Sequence, residues 1–256
     1  MAADVEAWIA ALQTRHRGAL TNPEFLKAVR ALSARYVERR GSLPDRSPLD
    51  SAAKRAAFAA FYGPLHFLTV AHIVDALGAA RGAIDVIGDL GCGTGASSAA
   101  WALAFPTPPR IVGLDVHTWA LDEAAWTWRT LRLDGRTRRT DVLRARLDGI
   151  SALVAGWSVN ELDHHARTDL LGRLIEAASH GASVLIVEPI GRRATPWWAD
   201  WAARFAVAGG RSDEWRFAIP LPPVLADLDE AAGFRRDALT AKTLWLRAGT
   251  GAVDAP

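Results

Sequence analysis

The stretch Asp89-Leu90-Gly91-Cys92-Gly93-Thr94-Gly95 follows an apolar run, Ile84–Ile87, and precedes small residues that suit a helix start. A strand that ends in an acidic residue, turns through three alternating glycines and enters a helix can hold a ligand against bare backbone. Each glycine lacks a Cβ, which permits the tight turn and the close approach. The N–H groups at a helix start have no partner within the helix and favour an anionic group. The stretch therefore predicts a ligand-binding turn at the end of a strand.

Composition and charge narrow the possible classes of protein. The chain has 256 residues, half of them hydrophobic, which is enough for one α/β domain with an added lobe. Its 30 basic and 28 acidic residues leave a formal net charge of only +2, too small to indicate a nucleic-acid partner. Arginines cluster around Arg136-Thr137-Arg138-Arg139. We interpret this cluster as a solvated basic loop, with an RNA contact as the alternative.

The number of cysteines, one, limits the possible metal sites, and the first residues indicate where in the cell the protein is expected. Cys92 cannot form an internal disulfide or a cysteine-rich zinc or iron–sulfur site, and we predict no metal site. The first residues include Asp4 and Glu6 and lack the basic-then-apolar pattern of a signal peptide. No uninterrupted apolar run approaches the roughly 20 residues that span a bilayer. We therefore expect a cytoplasmic protein with no membrane partner.

The spacing of apolar residues changes along the chain. Helical spacing dominates residues 1–80 and predicts an N-terminal helical lobe, with a helix break at Tyr62-Gly63-Pro64. Over residues 81–248, predicted strands alternate with helices, which indicates an α/β fold with a parallel sheet and right-handed crossovers. Residues 249–256 are predicted to form a flexible tail.

Five segments fit the strands of this sheet, and a hairpin fits the end of the domain. The predicted strands are Ile84–Leu90, Arg110–Asp115, Thr137–Val142, Ile150–Trp157 and Ser183–Glu188. The predicted hairpin pairs Asp237–Thr240 with Lys242–Arg247. In a parallel α/β sheet, ligands bind at the carboxyl ends of the strands. Side chains that follow these strands are therefore the candidate site residues.

The glycine-rich turn resembles motif I of the class I S-adenosylmethionine (SAM) methyltransferases, whose usual form is DxGxGxG. The resemblance implies a Rossmann-like, mostly parallel seven-stranded sheet and SAM as the cofactor, with S-adenosylhomocysteine as the product. It also implies that Asp89 and the turn hold the cofactor's amino-acid part, and that Asp115 accepts the ribose hydroxyls. For Asp141 a helix N-cap role fits equally well. The predicted cofactor-binding residues are Asp89, Gly91, Cys92, Gly93, Gly95, Asp115, Val116, Asp141, Val142 and Trp157.

The same turn also fits a dinucleotide-binding fingerprint. Gly91-x-Gly93-x-x-Ala96 has the relaxed spacing, and Asp115 lies where a ribose of NAD would be bound. Two features favour the methyltransferase. The turn follows an 80-residue helical segment rather than opening the fold, and Asp89 is acidic where dinucleotide folds usually have an apolar residue. An NAD-dependent oxidoreductase is therefore the least favoured of three hypotheses, after the methyltransferase and the ribosome-associated alternative described below.

The fourth predicted strand ends in Trp157-Ser158-Val159-Asn160-Glu161, which in the SAM fold borders the methyl group and the acceptor. The segment lacks the Asn/Asp-Pro-Pro-aromatic signature of base-directed N-methyltransferases. Cys92 lies in the cofactor turn, so a cysteine nucleophile for cytosine C5 methylation is missing. We therefore expect transfer to an O or N atom of a small-molecule acceptor, with the N-terminal lobe covering the acceptor site.

Histidines and aromatic residues supply the other candidates. The candidate bases, which a solvated or packed position would explain as well, are His164, His165 and His66. Aromatic rings can stack on a planar acceptor or hold a cation. The candidate acceptor-binding residues are Tyr62, Trp157, Glu161 and Trp197. Four other tryptophans are predicted to pack between helices and sheet: Trp101, Trp126, Trp128 and Trp245.

A second likeness extends over most of the chain. Ser33-Ala34-Arg35-Tyr36, the helix entered at Pro64, Val159-Asn160-Glu161-Leu162 and Val187-Glu188-Pro189 resemble a methyltransferase-like family. That family is associated with the mitochondrial small ribosomal subunit and its bacterial relatives. Members tied to ribosome assembly typically carry a cysteine set for an iron–sulfur cluster, which this chain lacks. The likeness implies an alternative function: a SAM-binding, ribosome-associated methyltransferase-like or assembly protein acting on or near RNA.

Overall fold

The computed structural model describes residues 2–18, 20–38, 49–191 and 194–249; of the predicted tail, residues 250–256 lie outside them. The α-helices are α1 (Ala2–Arg17), α2 (Asn22–Glu38), α3 (Ala52–Ala57), α4 (Gly63–Leu77), α5 (Ala96–Ala102), α6 (Thr118–Thr130), α7 (His164–Ser179), α8 (Trp198–Val207) and α9 (Pro223–Ala231). The strands are β1 (Val86–Leu90), β2 (Arg110–Asp115), β3 (Gly135–Arg139), β4 (Ala152–Gly156), β5 (Ser183–Glu188), β6 (Arg211–Phe217) and β7 (Leu239–Leu246). A π-helical turn joins α3 to α4, and a 3-10 helix follows β4; they are Phe58–Tyr62 and Val159–Glu161.

The seven strands form one sheet in the order β3-β2-β1-β4-β5-β7-β6. Strands β1 to β5 pair in parallel, and β7 runs antiparallel to β5. The chain order reverses between β1 and β4, which lie side by side. In open α/β sheets, ligands bind outside the carboxyl ends of the strands at such a switch point. The predicted mostly parallel seven-stranded α/β sheet is therefore confirmed, and it places the ends of β1 and β4 at the candidate site.

Helices cover both faces of the sheet. On one face, α7 and α8 contribute to a buried apolar cluster that includes Leu153, Leu174 and Phe205. On the other face, the fully buried Trp128 of α6 lies against glycines of β2 and β3. A Cβ on Gly113 would come within 2.4 Å of the Trp128 ring, and one on Gly135 within 2.3 Å. Glycine is therefore required at both positions, and the predicted packing of Trp128 on the sheet is confirmed.

The chain forms two compact units. One comprises Met1–His66 with Arg216–Leu239, and the other comprises Phe67–Trp215 with Thr240–Pro256. The sequence predicts a helical lobe that ends at residue 80, whereas the first of these units ends within α4 and includes the segment around α9.

Contacts within the first unit hold its two segments together. The guanidinium of Arg236 lies 5.4 Å from the centre of the Phe61 ring and forms an ion pair with the buried carboxylate of Asp229. Arg30 of α2 donates hydrogen bonds to the carbonyls of Ala231 and Ala232. These residues are about 200 positions apart in sequence, so periodicity along the chain cannot predict their association.

The predicted helix break at Tyr62-Gly63-Pro64 is wrong, because the helix continues over residues 52–77. Pro64 has no N–H, so it cannot donate the helical hydrogen bond to the carbonyl four residues before it, that of Ala60. The π-helical turn widens the helix at this point, and the side-chain amide of Gln13 donates to the Ala60 carbonyl at 2.7 Å. This helix is long and apolar enough to cross a membrane, but 72% of its most apolar 18-residue segment is buried inside the protein.

Two strand predictions are also corrected. The third strand is Gly135–Arg139, shifted towards the N-terminus from the predicted Thr137–Val142. The predicted C-terminal hairpin is wrong: β7 is one continuous strand, in which Ala241 is fully buried. The edge strand β6 has the polar sequence RSDEWRF, and its residues are exposed or half-buried. Such a sequence has no apolar run, so it was not predicted as a strand.

Candidate functional site

The glycine-rich turn leaves the carboxyl end of β1 in a left-handed conformation. Gly91, Gly93 and Gly95 have φ values of 68°, 51° and 73°, a region that residues with a Cβ rarely adopt. A Cβ on Gly91 would lie 2.7 Å from that of Ser158, and a Cβ on Gly95 would lie 2.7 Å from Trp128 Nε1. Both the backbone conformation and the packing therefore require glycine, and the predicted tight turn is present.

Asp89 lies beneath this turn and is only 1% exposed. Its Oδ2 accepts a hydrogen bond from the Ser98 N–H at 3.3 Å. This N–H group, at the start of α5, is therefore already hydrogen-bonded within the protein. Burial, with a smaller contribution from the charge of Asp115, raises the pKa of Asp89 to about 7. A cationic ligand group close to Asp89 would favour its charged form. The site therefore suits a ligand that carries an ammonium group.

Asp115, at the end of β2, is joined directly to the turn. Its Oδ2 accepts the Gly93 N–H at 3.1 Å, and its Oδ1 accepts the His117 N–H at 2.8 Å. Each carboxylate oxygen has two lone pairs, so each can accept a further hydrogen bond from a ligand hydroxyl. The next residue, Val116, has a 55% exposed apolar side chain. A hydroxyl acceptor beside an exposed apolar group suits the ribose and base of a nucleoside.

Two of the predicted cofactor-binding residues, Asp141 and Val142, follow β3. The Thr140 N–H donates to the Asp115 carbonyl at 3.0 Å, which places the end of β3 beside the end of β2. The exposed Asp141 accepts the Leu143 N–H at 2.9 Å and so caps a turn, rather than the predicted alternative of a helix. Val142 lies in that turn and is half-buried.

Trp157, at the end of β4, has a strained backbone. Its φ is 55°, although left-handed geometry costs about 1–2 kcal/mol for a residue with a Cβ. The Trp157 N–H donates to the Val187 carbonyl at 2.8 Å, and Ser158 Oγ donates to the Leu90 carbonyl at 2.8 Å. These bonds hold the strained residue next to the glycine-rich turn. Strain of this kind is concentrated at functional sites.

A buried polar network, which the sequence-based site prediction missed, holds the chain that follows Trp157. Glu188 ends β5, is fully buried, and accepts hydrogen bonds from the Asn160 N–H at 3.2 Å and from Asn160 Nδ2 at 2.7 Å. Asn160 Oδ1 in turn accepts the Trp197 Nε1–H at 2.9 Å. Trp197 is 8% exposed and packs edge-on against Trp201. The network therefore makes Trp197 a buried support of the β4 loop.

Lys242 extends this network from β7. It lies opposite Glu188 in the strand register, is 2% exposed, and donates to Thr195 Oγ1. Its ammonium nitrogen lies 4.4 Å from the centre of the Trp198 ring. Burial raises the pKa of Glu188 to about 8, despite the N–H donors and the Lys242 charge that oppose the rise. One sequence signal was available for Glu188, since this charged residue ends the otherwise apolar stretch of β5.

The candidate bases of α7 lie at its first turn. Asp163 caps the helix by accepting the Ala166 N–H at 2.8 Å. His164 and His165 are exposed, with ring centres 5.7 Å apart and planes at 88°. Glu161, in the 3-10 helix after β4, is also exposed. These three side chains are accessible to a molecule in solution at the end of β4.

Tyr62 and His66 belong to the other compact unit. The buried Tyr62 hydroxyl donates to the Val29 carbonyl at 3.0 Å, and burial raises its pKa. The His66 ring lies edge-on to Phe58, with centres 6.0 Å apart, and burial lowers its pKa to about 3. His66 is therefore neutral near pH 7 and a weak base.

No protein-family model matches the sequence, and no curated protein matches it. Solved methyltransferase structures do match the fold. Plantazolicin methyltransferase BpumL, in complex with S-adenosylhomocysteine, is 13% identical, with 87% of this chain and 96% of that chain covered and a TM-score of 0.50. Mitomycin 7-O-methyltransferase MmcR is 14% identical, with 88% and 67% covered and a TM-score of 0.51. Magnesium protoporphyrin IX methyltransferase from Synechocystis PCC 6803, with bound SAM, is 14% identical, with 91% and 100% covered and a TM-score of 0.50. The chain therefore has the class I methyltransferase fold that the glycine-rich turn predicts.

Proposed function

We propose that this protein is a SAM-dependent methyltransferase that transfers a methyl group to an O or N atom of a small-molecule acceptor. One observation carries the proposal: the left-handed glycine turn after Asp89 is hydrogen-bonded through Gly93 to Asp115 at the adjacent strand end. This arrangement lies at the switch point of a sheet with the fold of SAM-bound methyltransferases. We propose the cytoplasm as the place of this activity.

The chemistry of these residues fits the parts of SAM. Asp89 and the Gly91–Gly95 turn, including Cys92, would hold the ammonium and carboxylate of the amino-acid part. Asp115 would accept the ribose hydroxyls, and Val116 with Asp141 and Val142 would flank the adenine. Trp157 would border the sulfonium, which supplies the methyl group when the cofactor is bound.

The acceptor is proposed to bind where β4 ends. Trp157 is half-buried there, Glu161 is exposed, and Trp197 supports the loop through Asn160. Aromatic rings and one carboxylate suit a planar or cationic small molecule. The similar structures named above include methyltransferases of plantazolicin, mitomycin and magnesium protoporphyrin IX, which agrees with this class of acceptor.

Methylation of a hydroxyl or ammonium needs a group that takes up a proton. We propose His164 or His165 for this role, because both are accessible beside the β4 loop. His66 is the poorer candidate, since its low pKa makes it a weak proton acceptor at neutral pH. Alanine substitution of each histidine, with cofactor affinity measured beside turnover, separates a base from a binding residue. Replacing a histidine that acts as the base is expected to lower turnover and to leave cofactor affinity unchanged.

The cofactor is tested by calorimetric titration with S-adenosylhomocysteine, with NADH as the comparison ligand. Binding of S-adenosylhomocysteine alone supports the proposal, and binding of NADH alone replaces it with an oxidoreductase. Turnover of SAM is then measured with metabolite pools and with ribosomal RNA as acceptors. Methylation of RNA and not of metabolites would overturn the small-molecule acceptor. Binding without turnover on either would indicate a SAM-binding assembly protein.

A further inference from the structure

The sheet carries a cavity of about 380 Å³ away from the glycine-rich turn. Val86, Val112 and Ile150 form its apolar lining, and Arg138, Arg146 and Asp148 contribute charged groups. Its volume lies within the range of small-molecule sites. The lining residues come from β1, β2 and β3 and from the chain that leads into β4.

This cavity lies on the opposite face of the sheet from Asp89. Side chains alternate between the two faces of a strand, so Val86 and Val112 point away from the face that bears Asp89 and Gly113. Trp128 packs against Gly113 on that other face. The cavity is therefore separate from the residues proposed to hold SAM.

The wall of the cavity is anchored. In residues 140–151, which join β3 to β4, the structure has turns and irregular chain and no helix. Arg173 of α7 donates hydrogen bonds to the carbonyls of Val142 and Ala145 in this connection. Ile150 lies against Gly88, where a Cβ would come within 3.0 Å of its side chain. The connection is thus tied to the sheet and to α7 on either side of the cavity.

The charge around the cavity is mostly positive. Arg136 and Arg138 are both exposed and point to the same face of β3, because they are two residues apart. Arg146 approaches Asp148 at 3.6 Å, but both side chains are more than 80% exposed. Such a solvent-exposed pair is weak, so an anion can compete for Arg146. Guanidinium groups bind phosphate through paired hydrogen bonds.

We propose that this cavity binds a nucleotide unit. The apolar lining would accept the base, and Arg138 and Arg146 would pair with the phosphate. Asp148 would accept hydrogen bonds from sugar hydroxyls. Because its residues are separate from the proposed SAM site, the site does not depend on the proposed methyltransferase activity. The nucleotide unit is either a free mononucleotide or one residue of an RNA chain.

Uridine monophosphate is the probe for the free nucleotide, since it lacks adenine, and it is titrated with S-adenosylhomocysteine in excess to block the cofactor site. A ten-residue oligouridine without a terminal phosphate is the probe for RNA. The test variant is the double substitution Arg138→Ala and Arg146→Ala, and Arg204→Ala, an exposed arginine of α8, is the matched control. Uridine tests the contribution of the phosphate.

We expect the double variant to bind the preferred probe at least about tenfold more weakly, because it removes two charge-assisted contacts. Arg204→Ala is expected to bind normally, and both variants are expected to bind S-adenosylhomocysteine as the wild type does. Uridine is expected to bind more weakly than its monophosphate. Arginine-dependent binding of the oligouridine alone assigns the site to RNA, and arginine-dependent binding of the monophosphate assigns it to free nucleotides. Binding of neither probe, or equal binding by wild type and double variant, overturns the proposal.

Discussion

The substitution Asp89→Asn tests the physical account of the glycine-rich turn and of the carboxyl group beneath it. The buried carboxyl group has a pKa of about 7 against an ordinary value near 4. Each tenfold difference in proton affinity corresponds to about 1.4 kcal/mol. The free energy of ionising Asp89 is therefore about 4 kcal/mol higher in the folded protein than in the unfolded chain. Because the folded protein holds this proton more tightly than the unfolded chain, Asp89 lowers the free energy of unfolding as pH rises from about 4 to about 7. Asparagine stays neutral and still accepts the Ser98 N–H.

Urea unfolding between pH 4 and pH 8 measures this effect. The wild type is expected to lose about 4 kcal/mol more stability over this range than the variant, and the difference in stability is expected to level off near pH 8, above the folded-state pKa. Glu188, whose pKa is also raised, titrates in both proteins and therefore cancels in the comparison. Equal pH dependence in the two proteins would refute the reasoning.

Cofactor binding supplies a second readout of the same group. If the ammonium of S-adenosylhomocysteine lies by Asp89, binding favours the carboxylate and releases its proton. At pH 6.5, below the raised pKa of Asp89, the wild type is expected to release a proton from this group on binding, and the variant none. Calorimetry in buffers of different ionisation enthalpy measures the release. Equal proton release by the two proteins on binding would show that the ammonium does not lie by Asp89.

Three further substitutions test neighbouring features of the site. Gly95→Ala is expected to lower the free energy of unfolding by about 2–4 kcal/mol, because it adds left-handed strain and a clash with Trp128; denaturant unfolding measures it, and an unchanged midpoint would contradict the packing described. Asp115→Ala is expected to weaken S-adenosylhomocysteine binding, measured by calorimetry, by about 1–3 kcal/mol through lost hydrogen bonds. The control is Asp134→Ala, which removes an exposed acid before β3. Equal affinities of these two variants would show that the ribose binds elsewhere. Trp157→Gly is expected to relieve about 1–2 kcal/mol of backbone strain while weakening ligand binding, and a gain in both stability and affinity would exclude Trp157 from the site.

Local sequence was sufficient for the glycine-rich turn and the central strands. The three glycines, the acid before them and Asp115 at the next strand end lie within 27 residues. Their conformation depends on backbone sterics and on short-range hydrogen bonds, which residue types reveal directly. Strand Ser183–Glu188 was predicted with its observed bounds for the same reason, since a continuous apolar run marks a buried strand.

Only the tertiary structure decided the features that depend on residues far apart. Pro64 alone indicates a helix break, but Gln13 satisfies the carbonyl that it leaves free, so the helix continues. Glu188 and Lys242 are separated by more than 50 residues and become neighbours only through strand pairing. Burial in the folded protein raises the pKa of Glu188, and the charge of Lys242 opposes this rise. The outermost strand β6 lacks an apolar run because it is half solvated. Sequence therefore determined the glycine-rich turn and the fold class, while pairing and burial decided the polar network that supports the end of β4.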